Sequence, residues 1–421
     1  RHGIPFVDLI PLDDDEDETI RLSPLFLEPL NADFDGDCVL SSILIYHNDT
    51  YKILHISEFD KHVTLEFIET KERKHGVIVD NYKVIDETYI PAINKDGEID
   101  YKKITNWSIH KNLKMFDIKV RNKIAGTHQF EPISVSDNHS LVVFDKKLKQ
   151  TVKITPIDLK ENFNNYFLII NKSMLFEKEL LYDDYTSDFG WLIGAWLGDG
   201  SITGSSVKYK NTFSLSNSNT DIIDMAYTIL EQYFPEENIN FYDNENSVSD
   251  KNLSKNYNCE KAEHVRLSNK DLINYLKENF GINSGDKTLP TDILEYSNDF
   301  LKGLLAGYID TDGTVSMINI NFTSKSKKLL ETFKYLLQIK FNIKCSKLYE
   351  TKKSIIDAYG NKTKRIGTYY LLHLVITRDT IDFFKEVCNI MQDTNKVDKI
   401  LSNIEDVYLK REYSIHYIPK E

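Results

Sequence analysis

The chain has 421 residues, two to three times the size of a usual domain, so we expect more than one hydrophobic core. It contains no run of about 18 apolar residues, which favours a soluble protein without a membrane partner. The formal net charge of −13 disfavours a nucleic-acid partner only at first sight, because the charge is unevenly distributed. Residues 1–37 contain 11 acidic and 2 basic residues, whereas residues 38–421 contain 54 acidic and 50 basic ones, a balance at which local basic patches can still bind DNA.

The four cysteines lie far apart and form no Cys-x-x-Cys pair, so the sequence favours neither a zinc site nor a disulfide framework. We therefore expect a reducing, intracellular setting, in the cytoplasm or at the nucleoid or nucleus. The chain opens on Arg1 rather than Met, and we expect it to be part of a longer reading frame.

The first segment, residues 1–37, contains the acidic run DDDEDE, which is typical of a solvated loop. It ends in NADFDGD, where an extended or looped backbone can turn the alternating Asp33, Asp35 and Asp37 toward one hard cation. This motif resembles the catalytic magnesium loop of the largest subunit of multisubunit DNA-directed RNA polymerases. The resemblance implies that the three aspartates hold Mg²⁺ in a host polymerase, with its remaining subunits as partners, and it stops at Asp37.

Residues 38–182 change to short stretches rich in Val, Ile, Tyr and Phe, separated by Asn, Asp, Lys and Gly. This pattern predicts an all-β domain. The predicted strands are SSILIY, YKILHI, HVTLEFI, YKVIDETYI, MFDIKV, ISVSDNHSLVVF and YFLIINK.

Cys38 opens this domain at an abrupt change of sequence, and the stretch SDNHS places Ser136 three residues before His139. Alone, such a cysteine is most often a small buried residue and such a histidine is most often structural. Together the three residues resemble the amino-terminal half of an intein, the Hint-type splicing domain, with Ser136 where threonine is usual. The resemblance implies that the Cys38 thiolate attacks the carbonyl of Asp37 to form a thioester, while His139 protonates the departing nitrogen and Ser136 positions His139.

An intein closes with a block of strands and then His-Asn before a Cys, Ser or Thr, and we expect residues 406–421 to be only the start of these carboxy-terminal strands. Either the sequence stops short of the splice site, or it is the amino-terminal piece of a split intein. A self-cleaving domain of the hedgehog type uses similar Cys and His chemistry, but the segment at 183–405 disfavours that alternative.

Residues 183–405 alternate amphipathic helices with strands, which predicts an α+β domain. WLIGAWLGDGSI at 191–202 matches LLAGYIDTDGTV at 304–315, and each copy precedes a polar hairpin and an amphipathic helix. A further pair matches residues 265–287 with residues 375–396. The repeat predicts two halves, residues 183–290 and 291–405, related by a pseudo-twofold axis.

Small residues recur every four positions in both copies, a spacing that puts them on one helix face. They are Gly190, Gly194 and Gly198 in the first copy and Gly303, Gly307 and Thr311 in the second. Since glycine inside a helix costs about 1 kcal/mol relative to alanine, we expect the two helix backbones to touch. Asp199 and Asp312 lie at the helix end where the dipole disfavours anions, which predicts bound cations there.

This double motif resembles the LAGLIDADG homing endonucleases. The resemblance implies a monomeric nuclease whose sheets form a saddle over double-stranded DNA and whose motif aspartates, Asp199 and Asp312, bind Mg²⁺ for phosphodiester hydrolysis. It also implies that Lys287 activates water or steadies the phosphate, with Lys396 as its counterpart and Lys399 as a competitor for that place. Lysines in the hairpins after each motif are expected to contact phosphates: Lys208, Lys210, Lys325, Lys327 and Lys328.

The function predicted from these resemblances is a self-splicing element that carries a site-specific DNA endonuclease and interrupts an RNA polymerase subunit. The alternative is an RNA polymerase subunit with a degenerate insert that only binds DNA.

Overall fold

The computed structural model describes residues 7–10, 39–40, 42–73, 77–93, 99–111, 115–118, 133–137, 139–171, 186–203, 212–242, 262–316, 319–356 and 362–410. They form a β-rich region up to residue 171 and an α+β region from residue 186. Within these ranges, no helix combines the length and the apolar character that a membrane crossing requires.

The β-rich region contains antiparallel sheets and two short helices, α1 (Phe59–His62) and α2 (Pro156–Asn162). Its strands are β1 (Val7–Ile10), β2 (Val39–Leu40), β3 (Ser42–His47), β4 (Thr50–His55), β5 (Leu65–Arg73), β6 (Val77–Val84), β7 (Thr88–Ile93), β8 (Ile99–Lys103), β9 (Asn106–Lys111), β10 (Met115–Ile118), β11 (Ile133–Ser136), β12 (Leu141–Asp145), β13 (Gln150–Ile154) and β14 (Tyr166–Asn171). The sheet orders are β1-β14-β12-β13, β10-β11-β2, β4-β3-β7-β8 and β5-β6-β9.

The described residues between 42 and 111, which we name the arm, lie in sequence between two strands of one small sheet. Strands β2 and β10 both pair with β11, and the arm connects them in sequence. All the predicted stretches contain strands, but YKVIDETYI divides into β6 and β7, because the Asp86 carboxylate accepts a hydrogen bond from the Thr64 N–H at 2.6 Å where the ladder stops. Strands β1 and β2, which precede the first predicted stretch, were not predicted. Strands β8, β9 and β13 were not predicted either, since their sequences are mostly polar.

The α+β region contains two halves with a similar order of elements, as the internal repeat predicts, although among the described residues the second half has one more strand and one more helix. The first half contains α3 (Ser187–Asp199), β15 (Gly200–Thr203), β16 (Thr212–Asn217), α4 (Thr220–Tyr233), β17 (Ile239–Tyr242), β18 (Glu263–Leu267) and α5 (Lys270–Asn279). The second contains α6 (Asn298–Asp310), β19 (Gly313–Val315), β20 (Asn319–Ser324), α7 (Lys327–Phe341), β21 (Lys344–Cys345), β22 (Tyr349–Ile356), β23 (Lys362–Val375), α8 (Ile381–Cys388) and α9 (Thr394–Lys410). The sheets run β15-β16-β18-β17 and β19-β20-β23-β21, with β22 also paired to β23.

Helices α3 and α6 pack backbone against backbone through their glycines. A methyl group at Gly194 would lie within 3.0 Å of the Leu304 carbonyl oxygen, and one at Gly307 within 3.0 Å of the Trp191 carbonyl oxygen. Gly198 is packed in the same way against the Thr311 side chain. The helix contact predicted from the four-residue spacing is therefore confirmed.

The arm packs on the second half of the α+β region. Leu44 and Tyr51 of the arm belong to the same buried apolar cluster as helices α3 and α6. The Tyr51 N–H also donates a buried hydrogen bond of 2.6 Å to Glu295 in the turn before α6. The β-rich and α+β regions thus share a core across the predicted boundary near residue 183.

Candidate functional site

The two motif aspartates lie where α3 and α6 end side by side. Asp199 is the last residue of α3, and Asp312 follows α6 by two residues. Between the helix ends, a methyl group at Gly198 would be 3.1 Å from the Asp312 backbone nitrogen. The glycine interface therefore brings together two carboxylates that are 113 positions apart in sequence.

Burial makes both carboxylates hard to ionise. It raises the pKa of Asp199, although the Asn217 side-chain N–H, which donates to Oδ2 at 2.6 Å, and the nearby lysines oppose the shift. Burial, and then repulsion by Asp199, raise the pKa of Asp312 to about 6, against attraction by Lys287 and Lys396. Mutual repulsion at a partly desolvated site is typical of carboxylates arranged for a cation or a proton.

Lys287 covers the C-terminal end of α3. Its Nζ donates hydrogen bonds to the carbonyl oxygens of Trp196 at 2.9 Å, Leu197 at 3.0 Å and Gly200 at 2.8 Å. It also lies 4.8 Å from the centre of the Trp196 ring. Burial lowers the pKa of Lys287 to about 8, and the nearby Asp312 and Asp199 oppose that shift. The ammonium group satisfies carbonyls left open by the helix end and faces the negative end of the dipole.

Lys396 occupies the equivalent place at the end of α6. Its Nζ donates to the carbonyl oxygens of Ile309 at 2.8 Å, Asp310 at 2.7 Å and Thr311 at 3.2 Å. Burial lowers its pKa as well. Lys399, the other candidate for this place, is exposed one turn further along α9. Lys287 and Lys396 therefore occupy equivalent positions in the two halves, and their chemical roles remain predictions.

The donor set at the helix ends fits Mg²⁺. This ion is commonly bound by one or two protein carboxylates, with water and substrate phosphate oxygens supplying the remaining ligands. In the described ranges no three side chains from His, Cys, Asp and Glu come together as a complete cage. Asp199 and Asp312 supply two carboxylates whose mutual repulsion a divalent cation would relieve.

Two further residues at this site were missed by sequence reasoning. Asn217 lies on β16, where only the strand register places its side chain beside Asp199. Asp310 is 2% exposed and accepts hydrogen bonds from three donors. Its signal in the sequence is the extra aspartate in LAGYIDTDG, because the first motif has Leu197 at that position.

The open faces of the two sheets form a candidate nucleic-acid interface. On β18, Val265 and Leu267 are buried in the core, whereas the alternate residues His264 and Arg266 face the other side. On β20, Asn321 lies likewise on the face opposite the buried Phe322. Each half therefore presents a polar strand surface on the side away from its helices.

The lysines that were predicted to contact phosphates from the hairpins differ from one another in their structural setting. Lys325, in the turn after β20, has its Nζ 5.7 Å from the centre of the Tyr369 ring on β23. The hairpin placement of Lys327 and Lys328 is wrong: Ser326 caps α7, and both lysines belong to the first turn of that helix. Lys327 is paired there with Glu331 at 3.1 Å. Lys208 and Lys210 lie outside the described residues.

The proposed splicing residues are described only in part. Ser136 and His139 are both fully buried, and the His139 N–H donates to the Ser136 carbonyl at 3.1 Å, so they form one turn after β11. In the pairing of β2 with β11, Val39 lies opposite Val135. Cys38 and the aspartates Asp33, Asp35 and Asp37 lie outside the described residues, as does the segment 411–421. The prediction that strands begin at residue 406 is wrong for residues 406–410, which form the last part of helix α9.

Comparison with known proteins supports part of this organisation. Residues 299–389 match the family described as the LAGLIDADG-like domain, so the predicted α+β LAGLIDADG fold is confirmed for this stretch of the second half. The chain is also similar to the DNA-directed RNA polymerase subunit Rpo1C of Methanocaldococcus jannaschii, at 27% identity over 286 residues. That match covers 61% of this chain and 30% of the relative, so the chain spans less than a third of the relative's length.

Two homing endonucleases are among the solved structures to which the chain shows a weak similarity. I-DmoI in complex with DNA and Ca shares 14% identity at a TM-score of 0.32, covering 49% of this chain and 91% of that one. I-WcaI bound to its DNA recognition sequence shares 15% identity at a TM-score of 0.31, covering 54% of this chain and 94% of that one.

Proposed function

We propose that the chain is a divalent-cation-dependent endonuclease that cuts both strands of a specific DNA site. The observation that carries this proposal is the meeting of Asp199 and Asp312 at the ends of two glycine-packed helices, each end covered by a lysine ammonium group. The match of residues 299–389 to the LAGLIDADG-like domain supports it. One centre with two carboxylates and two lysines suits a DNA duplex, in which one phosphodiester bond of each strand must be hydrolysed.

In this proposal the chain's own residues bind and orient the DNA. Asp199 and Asp312 would hold Mg²⁺, which polarises a phosphoryl oxygen and lowers the pKa of bound water. The polar strand faces would hold the DNA backbone, with Lys325 at one edge. Lys287 and Lys396 keep positive charge beside the centre, which offsets the repulsion between a phosphate and two carboxylates.

Strand cleavage tests this function directly. Purified protein with Mg²⁺ should cut duplex DNA that carries the uninterrupted polymerase gene, because the proposed insertion of this chain's coding sequence would divide that site. The Asp199→Ala, Asp312→Ala double variant should lose about 10³-fold in rate, because the metal ligands are gone. Asp382→Asn is the matched control, since that side chain is 93% exposed on α8. Undiminished cutting by the double variant would refute the metal assignment.

We also propose that residues around 38–182 form a Hint-type splicing domain that interrupts an RNA polymerase subunit. Support comes from the register in which Val39, the neighbour of Cys38, pairs with Val135, the neighbour of Ser136. Facing residues of an antiparallel pair have Cα atoms about 5 Å apart. A described backbone segment beside the nucleophile therefore runs alongside the Ser136 to His139 turn.

The proposed chemistry is an acyl shift. The Cys38 sulfur forms a bond to the carbonyl carbon of Asp37, the bond to the Cys38 nitrogen breaks, and that nitrogen takes a proton from His139. Incubation with a small thiol should then release residues 1–37, which mass spectrometry detects. Release from Cys38→Ala at the wild-type rate would contradict this step. A polymerase subunit whose insert only binds DNA would show neither thiol release nor cutting.

A further inference from the structure

The buried carboxylate of Asp310 connects three parts of the α+β region. Its Oδ2 accepts hydrogen bonds from Trp191 Nε1 at 2.8 Å and from the Gln392 N–H at 2.8 Å. Its Oδ1 accepts one from the Asp393 N–H at 3.1 Å. Asp310 thus ties the end of α6 to helix α3 of the other half and to the turn that precedes α9.

That turn leads directly to Lys396. The Lys396 N–H donates to the Asp393 carbonyl at 3.0 Å and lies 3.1 Å from its Oδ1, so the turn fixes the start of α9. The Lys396 side chain then returns to the end of α6, where Nζ donates to the carbonyls of residues 309–311. The Asp310 carboxylate therefore fixes the turn before α9. Lys396, at the start of α9, places its ammonium group back on the end of α6, where Asp310 lies.

The first half holds its lysine by other means. The side chain of Leu197, at the position of Asp310, has no hydrogen-bond acceptor. The backbone around Lys287 is fixed by local bonds, with the Lys287 N–H donating to the Asn283 carbonyl at 3.0 Å. The Ser326 hydroxyl donates to the Lys287 carbonyl at 2.5 Å. The two halves thus place equivalent ammonium groups through different contacts, only one of which is a buried carboxylate.

We propose that Asp310 is a positioning residue for one half-site: it sets Lys396 on the end of α6 and leaves Lys287 unaffected. The inference rests on the proposed nuclease function, because half-sites have a meaning only if two strands are cut. A carboxylate that merely stabilised the fold would affect both strands alike.

The test measures the nicking rate of each strand on an end-labelled duplex. Asp310→Asn keeps the size of the side chain but presents an amide to donors, so we expect a loss on the order of 10²-fold on one strand and little change on the other. Lys396→Met should slow the same strand, and Lys287→Met the opposite one. The Asp310→Asn, Lys396→Met double variant should be no slower than Lys396→Met alone.

Trp191→Phe is the milder companion variant, because it removes one hydrogen bond and keeps a large apolar ring. It should slow the same strand by several-fold if Asp310 acts through its orientation. Equal slowing of both strands by Asp310→Asn, or a fully additive double variant, would overturn the proposal, provided that thermal unfolding shows both variants to be folded.

A second readout needs no DNA. Acylation by an N-hydroxysuccinimide ester, followed by mass spectrometry of individual lysines, reports how well each ammonium group is held. Asp310→Asn should speed acylation of Lys396 by about tenfold and leave Lys287 unchanged, because only Lys396 is released from its carbonyls. If the wild-type protein cuts no DNA but this selectivity is found, the nuclease proposal fails and the positioning role stands. Unchanged acylation of Lys396 would remove the positioning role.

Discussion

The two halves of the α+β region share the same helix arrangement but differ in the polar and charged groups that surround their motif aspartates. In both, a helix carries glycines on its inner face and ends under a lysine ammonium group. Yet Asp199 accepts a hydrogen bond from Asn217, whereas the strand register puts Ser324 at the corresponding place beside Asp312. The comparison shows that the helix contact keeps small residues at corresponding positions of the two halves, while the charged and polar residues around the aspartates differ.

The surrounding groups shift the pKa values of the two motif aspartates differently. The Asn217 bond opposes the rise in the pKa of Asp199, whereas repulsion by Asp199 adds to the effect of burial at Asp312. The second half also contains Asp310, which the first half replaces with Leu197. We therefore expect the symmetric features to respond alike to substitution in the two halves, and the electrostatic features to respond unequally.

The glycine interface should give the largest effect and the same one in each half. Gly194→Ala and Gly307→Ala each force a methyl group against a backbone carbonyl of the opposite helix, and backbone cannot move aside cheaply. We expect each to lower the free energy of unfolding by about 3 kcal/mol in urea titrations. Gly285→Ala is the control, because nothing lies within 4 Å of the added methyl group. A neutral Gly194→Ala would break the symmetric part of the comparison.

Replacing a carboxylate of the centre should stabilise the metal-free protein while removing cleavage. Asp312→Asn eliminates a buried charge and its repulsion with Asp199, so at pH 7.5 without metal we expect about 1 to 2 kcal/mol of added stability, discounted for partial exposure. Asp199→Asn should gain less, since Asn217 already stabilises that carboxylate. Thermal unfolding in a chelator measures both. Equal gains would show that the two carboxylates are equivalent.

These contacts separate what the sequence could predict from what it could not. The touching helices follow from glycine at a four-residue spacing, which is a local periodicity. The correspondence of Lys287 with Lys396 follows from the internal repeat of the sequence. The bonds of Asp310 reach donors 82 and 119 positions away along the chain, and no periodicity encodes them. Lys327 begins a helix because the Ser326 hydroxyl accepts a hydrogen bond from the Leu329 N–H and caps α7, a serine signal that the sequence prediction overlooked.

The raised pKa of Asp312 also sets a pH window. Its folded pKa of about 6 exceeds its unfolded pKa near 4, so the folded state holds the proton more tightly. The stability this confers is complete below about pH 4 and is lost as the pH rises through about 6. Since Mg²⁺ needs the deprotonated form, its affinity should fall about tenfold for each pH unit below 6. Calorimetric Mg²⁺ titrations at pH 5, 6 and 7 check this, and a flat profile would exclude Asp312 as the controlling group.

The smallest expected effect concerns the arm. The arm contacts Glu295 of the second half, and this contact is another way in which the surroundings of the two halves differ. Burial raises the pKa of Glu295, while the hydrogen bond from the Tyr51 N–H and the charges of Lys340 and Lys52 oppose that shift. Glu295→Ala leaves a buried N–H without its acceptor and should lower the free energy of unfolding by about 1 kcal/mol. Glu295→Gln keeps an acceptor oxygen and should be nearly neutral. If both variants lose the same amount in urea titrations, the contact depends on the negative charge of the carboxylate rather than on its hydrogen bond.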